Sequence, residues 1–138
     1  MNEYTYEEIK TGLEESFEKK ITKEDILKFS EITGDKNPLH LDEEYAKTTP
    51  FKKNIVYGMF PVSLFSTLAG MYLPGRYSLI LSSESYIKKP CFEGDILKIS
   101  GKVDKKIDAG KLIILKIEIK NQENEKIIEG KMIVQVLK

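Results

Sequence analysis

One short run of the sequence contains the side chains best suited to acid–base chemistry. Asp35 and His40 lie five residues apart, and His40 is the only histidine in the chain. Between them, Pro38 has a fixed φ and biases Asn37 toward extended geometry, so both side chains project from a stiff turn. A carboxylate and an imidazole held rigidly at one pocket could transfer protons to and from a substrate.

A structural interpretation of the same two residues is the more common one in proteins. Asp35 could close an Asx turn after a helix, and His40 could be a hydrogen-bonded side chain of the loop. Considered alone, the residues favour this interpretation over catalysis. The lone Cys91 is too distant in sequence from His40 to form a metal-ligand pattern with it and is more typical of buried filler than of a nucleophile.

Three helices and one strand are predicted around this run. The first strand is expected near residues 13–21, followed by a helix capped by Thr22 and stopped by Gly34. A short helix capped by Asp42 should run to about Thr48. The third helix, over residues 59–73, is apolar on all sides, which predicts that the rest of the fold encloses it.

The uncharged stretch that contains this apolar helix is not expected to span a membrane. Residues 54–75 carry no charged side chain, but Pro61, Pro74 and nearby glycines restrict the continuous helix to a length shorter than the hydrocarbon layer. A buried core helix is the better interpretation.

Alternation of apolar and polar residues in the second half of the chain predicts four strands. Short turn-like separators between them indicate an antiparallel meander, and the alternation indicates a sheet covered on one face only. The sequence therefore predicts an α+β fold in which a curled antiparallel sheet wraps around one long apolar helix. The expected strands are residues 77–87, 96–104, 112–121 and 126–137.

Composition narrows the class of protein. A chain of 138 residues predicts a single domain over 1–138. Its 22 basic and 22 acidic residues cancel, so the chain lacks the excess positive charge typical of proteins that bind nucleic acid or an anionic membrane. One cysteine cannot form an internal disulfide, and the opening residues are acidic where a signal segment would be apolar. The expected compartment is the cytoplasm.

The run from Phe29 to His40 resembles the signature of the MaoC-type (R)-specific enoyl-CoA hydratases and dehydratases, whose fold is the hot dog. Later segments follow the order and spacing of the same family, so the resemblance covers nearly the whole chain. These segments are Tyr45-Ala46, residues 55–59, residues 63–66, Leu73-Pro74-Gly75, Pro90 and Gly94-Asp95.

The resemblance implies a hydro-lyase that reversibly hydrates trans-2-enoyl-CoA to (R)-3-hydroxyacyl-CoA. It assigns Asp35 as principal acid/base and His40 as its partner, in a buried pocket that would raise the pKa of the carboxyl and make it a better base. The backbone N–H of Gly58 is implied as an oxyanion hole, although Gly58 could simply permit a tight turn. Ser66 is implied to hydrogen-bond the Asp, or alternatively a carbonyl of its own helix.

Other site positions are less specific. Asn37 is expected to support the turn, and Tyr57 and Met59 to shape the acyl pocket, with Tyr57 a departure because related sequences often have histidine there. Lys88 and Lys89 could meet coenzyme A phosphates, although solvated edge charges are the more common role. No metal and no cofactor are implied.

Alternative functions stay open at this point. One is the same chemistry on an acyl carrier protein thioester, as in a (3R)-hydroxyacyl-ACP dehydratase. Others are thioester hydrolysis and a non-catalytic acyl-thioester-binding subunit. The resemblance also implies at least a homodimer, and pairing of exposed edge strands with a second copy supports this expectation.

Overall fold

The first two elements are the predicted strand and helix. The computed structural model describes residues 1–138, beginning with strand β1 (Glu14–Lys20) and helix α1 (Lys23–Thr33). Thr22 and Asp25 form a capping box, in which the Thr22 hydroxyl accepts from the Asp25 N–H at 3.1 Å and the Asp25 carboxylate accepts from the Thr22 N–H. Gly34 ends α1 with a φ of 74°, as predicted from its place in the sequence.

Two short helices follow the turn at Asp35. Helix α2 (Pro38–Leu41) has Asn37 as its N-cap, and helix α3 (Glu43–Lys47) has Asp42. The sequence analysis predicted α3 with this cap. It did not predict α2, because four residues are too few to show a helical period.

The apolar segment forms helix α4 (Met59–Thr67), which continues without a break into a π-helical turn over Leu68–Tyr72. The Leu73 N–H donates to the Leu68 carbonyl at 2.8 Å, the five-residue spacing of a π-helix. Together the two parts match the predicted extent. The structure contains no helix with the length and apolarity required to cross a membrane.

The four remaining strands lie close to the predicted positions. They are β2 (Ser78–Ile87), β3 (Ile96–Ile107), β4 (Leu112–Lys120) and β5 (Lys126–Val136). With β1 they form one antiparallel sheet in the order β1-β3-β4-β5-β2.

The prediction of a simple meander is wrong for β2. Strands β3, β4 and β5 do follow one another by short turns, but β2 lies beside β5 at the far edge of the sheet. The connection from β2 to β3 passes the end of β5, where the Lys88 N–H donates to the Ile127 carbonyl. Further along this connection, the Cys91 carbonyl accepts a hydrogen bond from the Val56 N–H. A connection with these contacts crosses the end of the sheet, so β2 and β3 cannot be hairpin partners.

Helix α4 packs directly on the backbone of the sheet. Along β4 the predicted alternation is present, with Ile113, Leu115, Ile117 and Ile119 buried beneath the helix. A Cβ on Gly101 would lie 2.5 Å from Leu68, and one on Gly130 would lie 2.7 Å from the ring of Phe65 and 2.3 Å from the Glu84 carbonyl oxygen. Glycine at these two positions therefore allows the close approach.

The expectation that the apolar helix is enclosed on all sides is wrong for the single chain. Phe60, Leu64 and Phe65 are buried, but Met59 is 61% exposed and Met71 is exposed as well. Five strands curl around only one side of the helix, which leaves the other side open.

Replacing Gly130 with alanine tests the contact between helix and sheet. Gly130→Ala should lower the free energy of unfolding by about 2 kcal/mol, because the added methyl meets the buried Phe65 ring of α4 at 2.7 Å and also the Glu84 carbonyl oxygen of β2. Urea unfolding followed by circular dichroism measures the change. Gly70→Ala is the matched control, since its Cβ would meet only Ser78 at 4.0 Å and alanine favours a helix. Equal stability of Gly130→Ala and wild type would contradict the close packing.

Candidate active site

The turn after α1 positions the Asp35 carboxylate. Its Oδ1 accepts the Asn37 N–H at 3.0 Å, and the Asn37 side chain in turn accepts the Leu39 N–H at 2.9 Å to cap α2. Asp35 thus forms the Asx turn of the structural interpretation, and Asn37 links this turn to the start of α2. These two bonds fix the side chain of Asp35 relative to α2, which carries His40.

Two hydroxyl groups fix the backbone of Asp35. The Ser30 Oγ donates to the Asp35 carbonyl oxygen at 3.0 Å, and the Tyr57 hydroxyl donates to the same oxygen at 2.5 Å. Both Ser30 and Tyr57 are buried. A carbonyl has two lone pairs, so the acceptor capacity of this oxygen is filled.

His40 is held in one orientation by a backbone carbonyl. Its Nδ1 lies 2.8 Å from the Ile55 carbonyl oxygen, and its ring centroid lies 4.1 Å from that of Tyr57. Because a carbonyl only accepts, Nδ1 must carry the proton, and in the neutral imidazole Nε2 is then the basic nitrogen. No group of the chain hydrogen-bonds Nε2. The arrangement leaves one ring nitrogen able to accept a proton from water or a substrate.

Asn54 ties the segment before α4 to the helix that carries His40. Its side-chain amide donates to the Leu39 carbonyl at 2.9 Å and to the Asp42 carbonyl at 3.1 Å. These carbonyls belong to the last turn of α2 and its cap, so a single side chain satisfies acceptors that a four-residue helix leaves unpaired. The amide therefore stabilises the position of α2.

Gly58 lies at the amino end of α4 as the sequence analysis expected. Its N–H makes no hydrogen bond within the chain. A Cβ at this position would come within 2.7 Å of the end of the Ile87 side chain, so Gly58 lies against β2. A free N–H at the positive end of a helix dipole can stabilise a developing negative charge.

Two cavities meet at the residues that precede Gly58. One, of about 320 Å³, is lined in part by His40, and the other, of about 360 Å³, is lined by Gly58, Pro61 and Ile87. Ile55 and Val56 line both cavities. His40 and Gly58 thus border neighbouring cavities that share Ile55 and Val56.

Two expectations about the site are not met in the single chain. Asp35 is exposed rather than desolvated, because its backbone and not its carboxylate packs against Ser30 and Tyr57. Ser66 is exposed and does not hydrogen-bond Asp35, whose Oδ1 is instead bonded to Asn37. The exposure of Ser66 follows from its place on the open side of α4.

The other candidate binding residues lie at the surface. Met59 projects from the open side of α4. Lys88 forms an ion pair with Glu129 at 3.1 Å, and Lys89 forms one with Glu125. The two lysines are therefore paired edge charges, which is the alternative that the sequence analysis left open for them.

Cys91 has the features of a structural residue. It is buried, and burial together with the nearby charge of Asp95 raises the pKa of its thiol to about 12. The thiol therefore stays protonated at neutral pH, and a protonated thiol is a poor nucleophile.

Sequence reasoning missed the groups that hold Asp35 and His40 in place. Ser30 lies four residues after Ile26, on the buried face of α1, and a polar residue on an apolar face was the signal for it. Tyr57 was noted for pocket shape and not for its hydroxyl. The Ile55 carbonyl and the Asn54 amide act across the fold, and no local pattern indicates their partners.

The fold and this site define the class of protein. A five-stranded antiparallel sheet curled about one apolar helix is the hot-dog fold, and Asp35 and His40 lie beside the amino end of that helix. An R-hydratase, PhaJ1, of Pseudomonas aeruginosa has this fold. It superposes with a TM-score of 0.90 at 29% identity, over 96% of this chain and 84% of that structure.

The chain belongs to the MaoC-like family, since the family model for the MaoC like domain matches residues 5–125. A 3-hydroxybutyryl-CoA dehydratase of Methylorubrum extorquens is 37% identical over 98 residues, which is 71% of this chain and 62% of the relative. An (R)-specific enoyl-CoA hydratase of Aeromonas caviae is 39% identical over 87 residues, 63% of this chain and 65% of the relative. The matches thus span less than two thirds of each relative's length.

The tautomer of His40 can be measured directly, because the chain has no other histidine. At pH ~9, where imidazoles are ordinarily neutral, long-range proton–nitrogen NMR correlation should show the Nδ1–H form, owing to the bond with the Ile55 carbonyl. The chain unfolded in urea is the control and should lose this preference. Detection of the Nε2–H form in the folded protein would contradict the assignment.

Proposed function

We propose that the protein reversibly hydrates trans-2-enoyl-CoA to (R)-3-hydroxyacyl-CoA without a cofactor, working in the cytoplasm. The observation that carries the proposal is the His40 imidazole, fixed through Nδ1 with Nε2 unbonded, beside the rigid turn of Asp35. Relatives named 3-hydroxybutyryl-CoA dehydratase and (R)-specific enoyl-CoA hydratase support the choice of reaction. One free, buried cysteine is in keeping with a reducing compartment.

Asp35 and His40 supply the two proton transfers that the reaction needs. In hydration, a water positioned between the Asp35 carboxylate and His40 Nε2 gives a proton to Asp35, and its oxygen bonds to C3 of the enoyl group. Asp35 then delivers a proton to C2, so the net change is addition of H and OH across the double bond. Asp35 is the principal acid/base in this scheme, and His40 positions the water and shares the transfer.

Gly58 supplies the third requirement. Attack at C3 moves negative charge onto the thioester oxygen, and the free Gly58 N–H at the start of α4 is suited to donate a hydrogen bond to that oxygen. The helix dipole adds to the stabilisation. Ile87 and Pro61, which line the same cavity as Gly58, would contact an apolar acyl chain.

We also propose that the protein forms at least a homodimer through β2. The outer edge of β2 lacks a partner strand, and it exposes large apolar side chains. The opposite edge strand, β1, reads Glu-Glu-Ser-Phe-Glu-Lys-Lys, and its charges discourage edge pairing. A second copy on β2 would also approach Ile87 and therefore Gly58, and it would reduce the exposure of the site. The apolar side chains exposed on β2 are Leu79, Ile80, Leu81, Tyr86 and Ile87.

Loss of enoyl-thioester absorbance with crotonyl-CoA tests the activity. Asp35→Asn and His40→Ala should each lower kcat by at least about 100-fold, because each removes one proton-transfer group. Asp104→Asn is the matched control, since Asp104 pairs with Lys116 on the outer face of the sheet and should leave kcat unchanged.

Three outcomes would reject the proposal. The first is no turnover of crotonyl-CoA or longer enoyl-CoA substrates by the folded wild type. The second is turnover of carrier-protein thioesters only. The third is release of free thiol in place of hydration. Retention of wild-type kcat by both Asp35→Asn and His40→Ala would reject the assigned residues while leaving the reaction in place.

Light scattering tests the assembly. The wild type should show a molar mass of about twice the chain mass of 15.8 kDa. Leu81→Lys should lower the measured mass toward that of the monomer, because it places a charge in the apolar edge of β2. Ser16→Lys, at an exposed position of β1, is the control on the other edge of the sheet. A monomeric wild type at micromolar concentration would contradict the dimer.

A further inference from the structure

Tyr57 contacts both members of the proposed catalytic pair. Its hydroxyl donates to the Asp35 carbonyl at 2.5 Å, and its ring centroid lies 4.1 Å from that of His40, with the ring planes tilted by 36°. The side chain is only 2% exposed, and the Phe29 ring packs against it at 5.2 Å between centroids. Tyr57 therefore has one well-defined position.

Neighbouring groups strengthen both contacts. Ser30, on α1, donates to the same Asp35 carbonyl, so this carbonyl is fixed from two directions. Two residues before Tyr57, the Ile55 carbonyl accepts from His40. A segment of three residues, 55–57, thus contacts Asp35 through a hydroxyl and His40 through a carbonyl and a ring.

We propose that Tyr57 is a positioning residue that sets the geometry between the Asp35 carboxylate and the His40 imidazole. The inference rests on the proposed hydratase activity and deepens it. Tyr57 donates its only hydroxyl proton to the Asp35 backbone, so the phenol itself takes no part in proton transfer. It acts on the Asp35 carboxylate through the backbone of that residue and on His40 through ring contact.

This role predicts an effect on kcat rather than on substrate binding. Proton transfer through a shared water depends steeply on the distances among the groups, and a misplacement of about 1 Å can lower a rate ~100-fold. Removal of the hydroxyl frees the Asp35 backbone on one side while leaving the ring on His40. The carboxylate can then move without loss of any group that contacts the substrate.

Tyr57→Phe is the direct test, with Tyr6→Phe as the matched control. Tyr6 is also buried, and its hydroxyl donates to Asp108 at 2.8 Å, at the turn between β3 and β4. With crotonyl-CoA, Tyr57→Phe should lower kcat at least about tenfold and leave KM within about twofold. Tyr6→Phe should leave kcat and KM unchanged, although both variants lose a buried hydroxyl contact and should unfold at lower urea concentration.

NMR of His40 provides a readout that does not depend on turnover. The imidazole signals should shift or broaden in Tyr57→Phe and stay unchanged in Tyr6→Phe, because of the two tyrosines only Tyr57 packs against that ring and holds the neighbouring Asp35 backbone. Should Tyr57→Phe fail to fold, Ser30→Ala removes the other hydroxyl from the same carbonyl and should lower kcat in the same direction.

The outcomes separate the two proposals. Unchanged kcat and unchanged His40 signals in Tyr57→Phe, with lower stability, would show a merely structural tyrosine and overturn the inference. No turnover by the wild type would reject the hydratase proposal. In that case unchanged His40 signals in Tyr57→Phe would overturn the positioning role independently, and shifted signals would support it.

Discussion

The contact of α4 with the sheet backbone is the constraint on which the rest of the structure depends. Gly101 and Gly130 remove the two side chains that would hold the helix away, so Leu68 and Phe65 rest on the strands themselves. Protein interiors are packed too densely for a helix at this distance to shift freely. The helix axis is thereby fixed, and the position of its amino end, where Gly58 lies, is fixed with it.

The segment just before α4 also fixes groups that lie outside the core. Asn54, Ile55 and Tyr57 each bond to a different part of the α1–α2 region, through an amide, a carbonyl and a hydroxyl. None of these bonds is part of a helix or strand ladder. The loop around Asp35 is therefore ordered by tertiary contacts, although most of its own side chains are exposed.

The sequence predicted most elements and few of their contacts. Helix α1 was predictable because Thr22, Asp25 and Gly34 are local signals, and β4 because alternation needs only neighbouring residues. The pairing of β2 with β5 was not predictable, since an eight-residue link permits either neighbour. At the site, the residues of the turn were identified, partly through the family resemblance. The bonds of Ser30, Asn54 and Tyr57 were not, because their partners lie on elements whose relative placement only the fold supplies.

The position of β2 has a consequence for how the chain folds during synthesis. Its partner β5 leaves the ribosome only after β3 and β4, with about forty residues between β2 and β5. Until then the Leu-Ile-Leu stretch of β2 has no partner on either side. Nascent chains stalled in this interval would present an apolar strand to one another, which is the circumstance in which chaperones matter most. The strand we propose for assembly is thus also an apolar segment that stays unpaired while translation is incomplete.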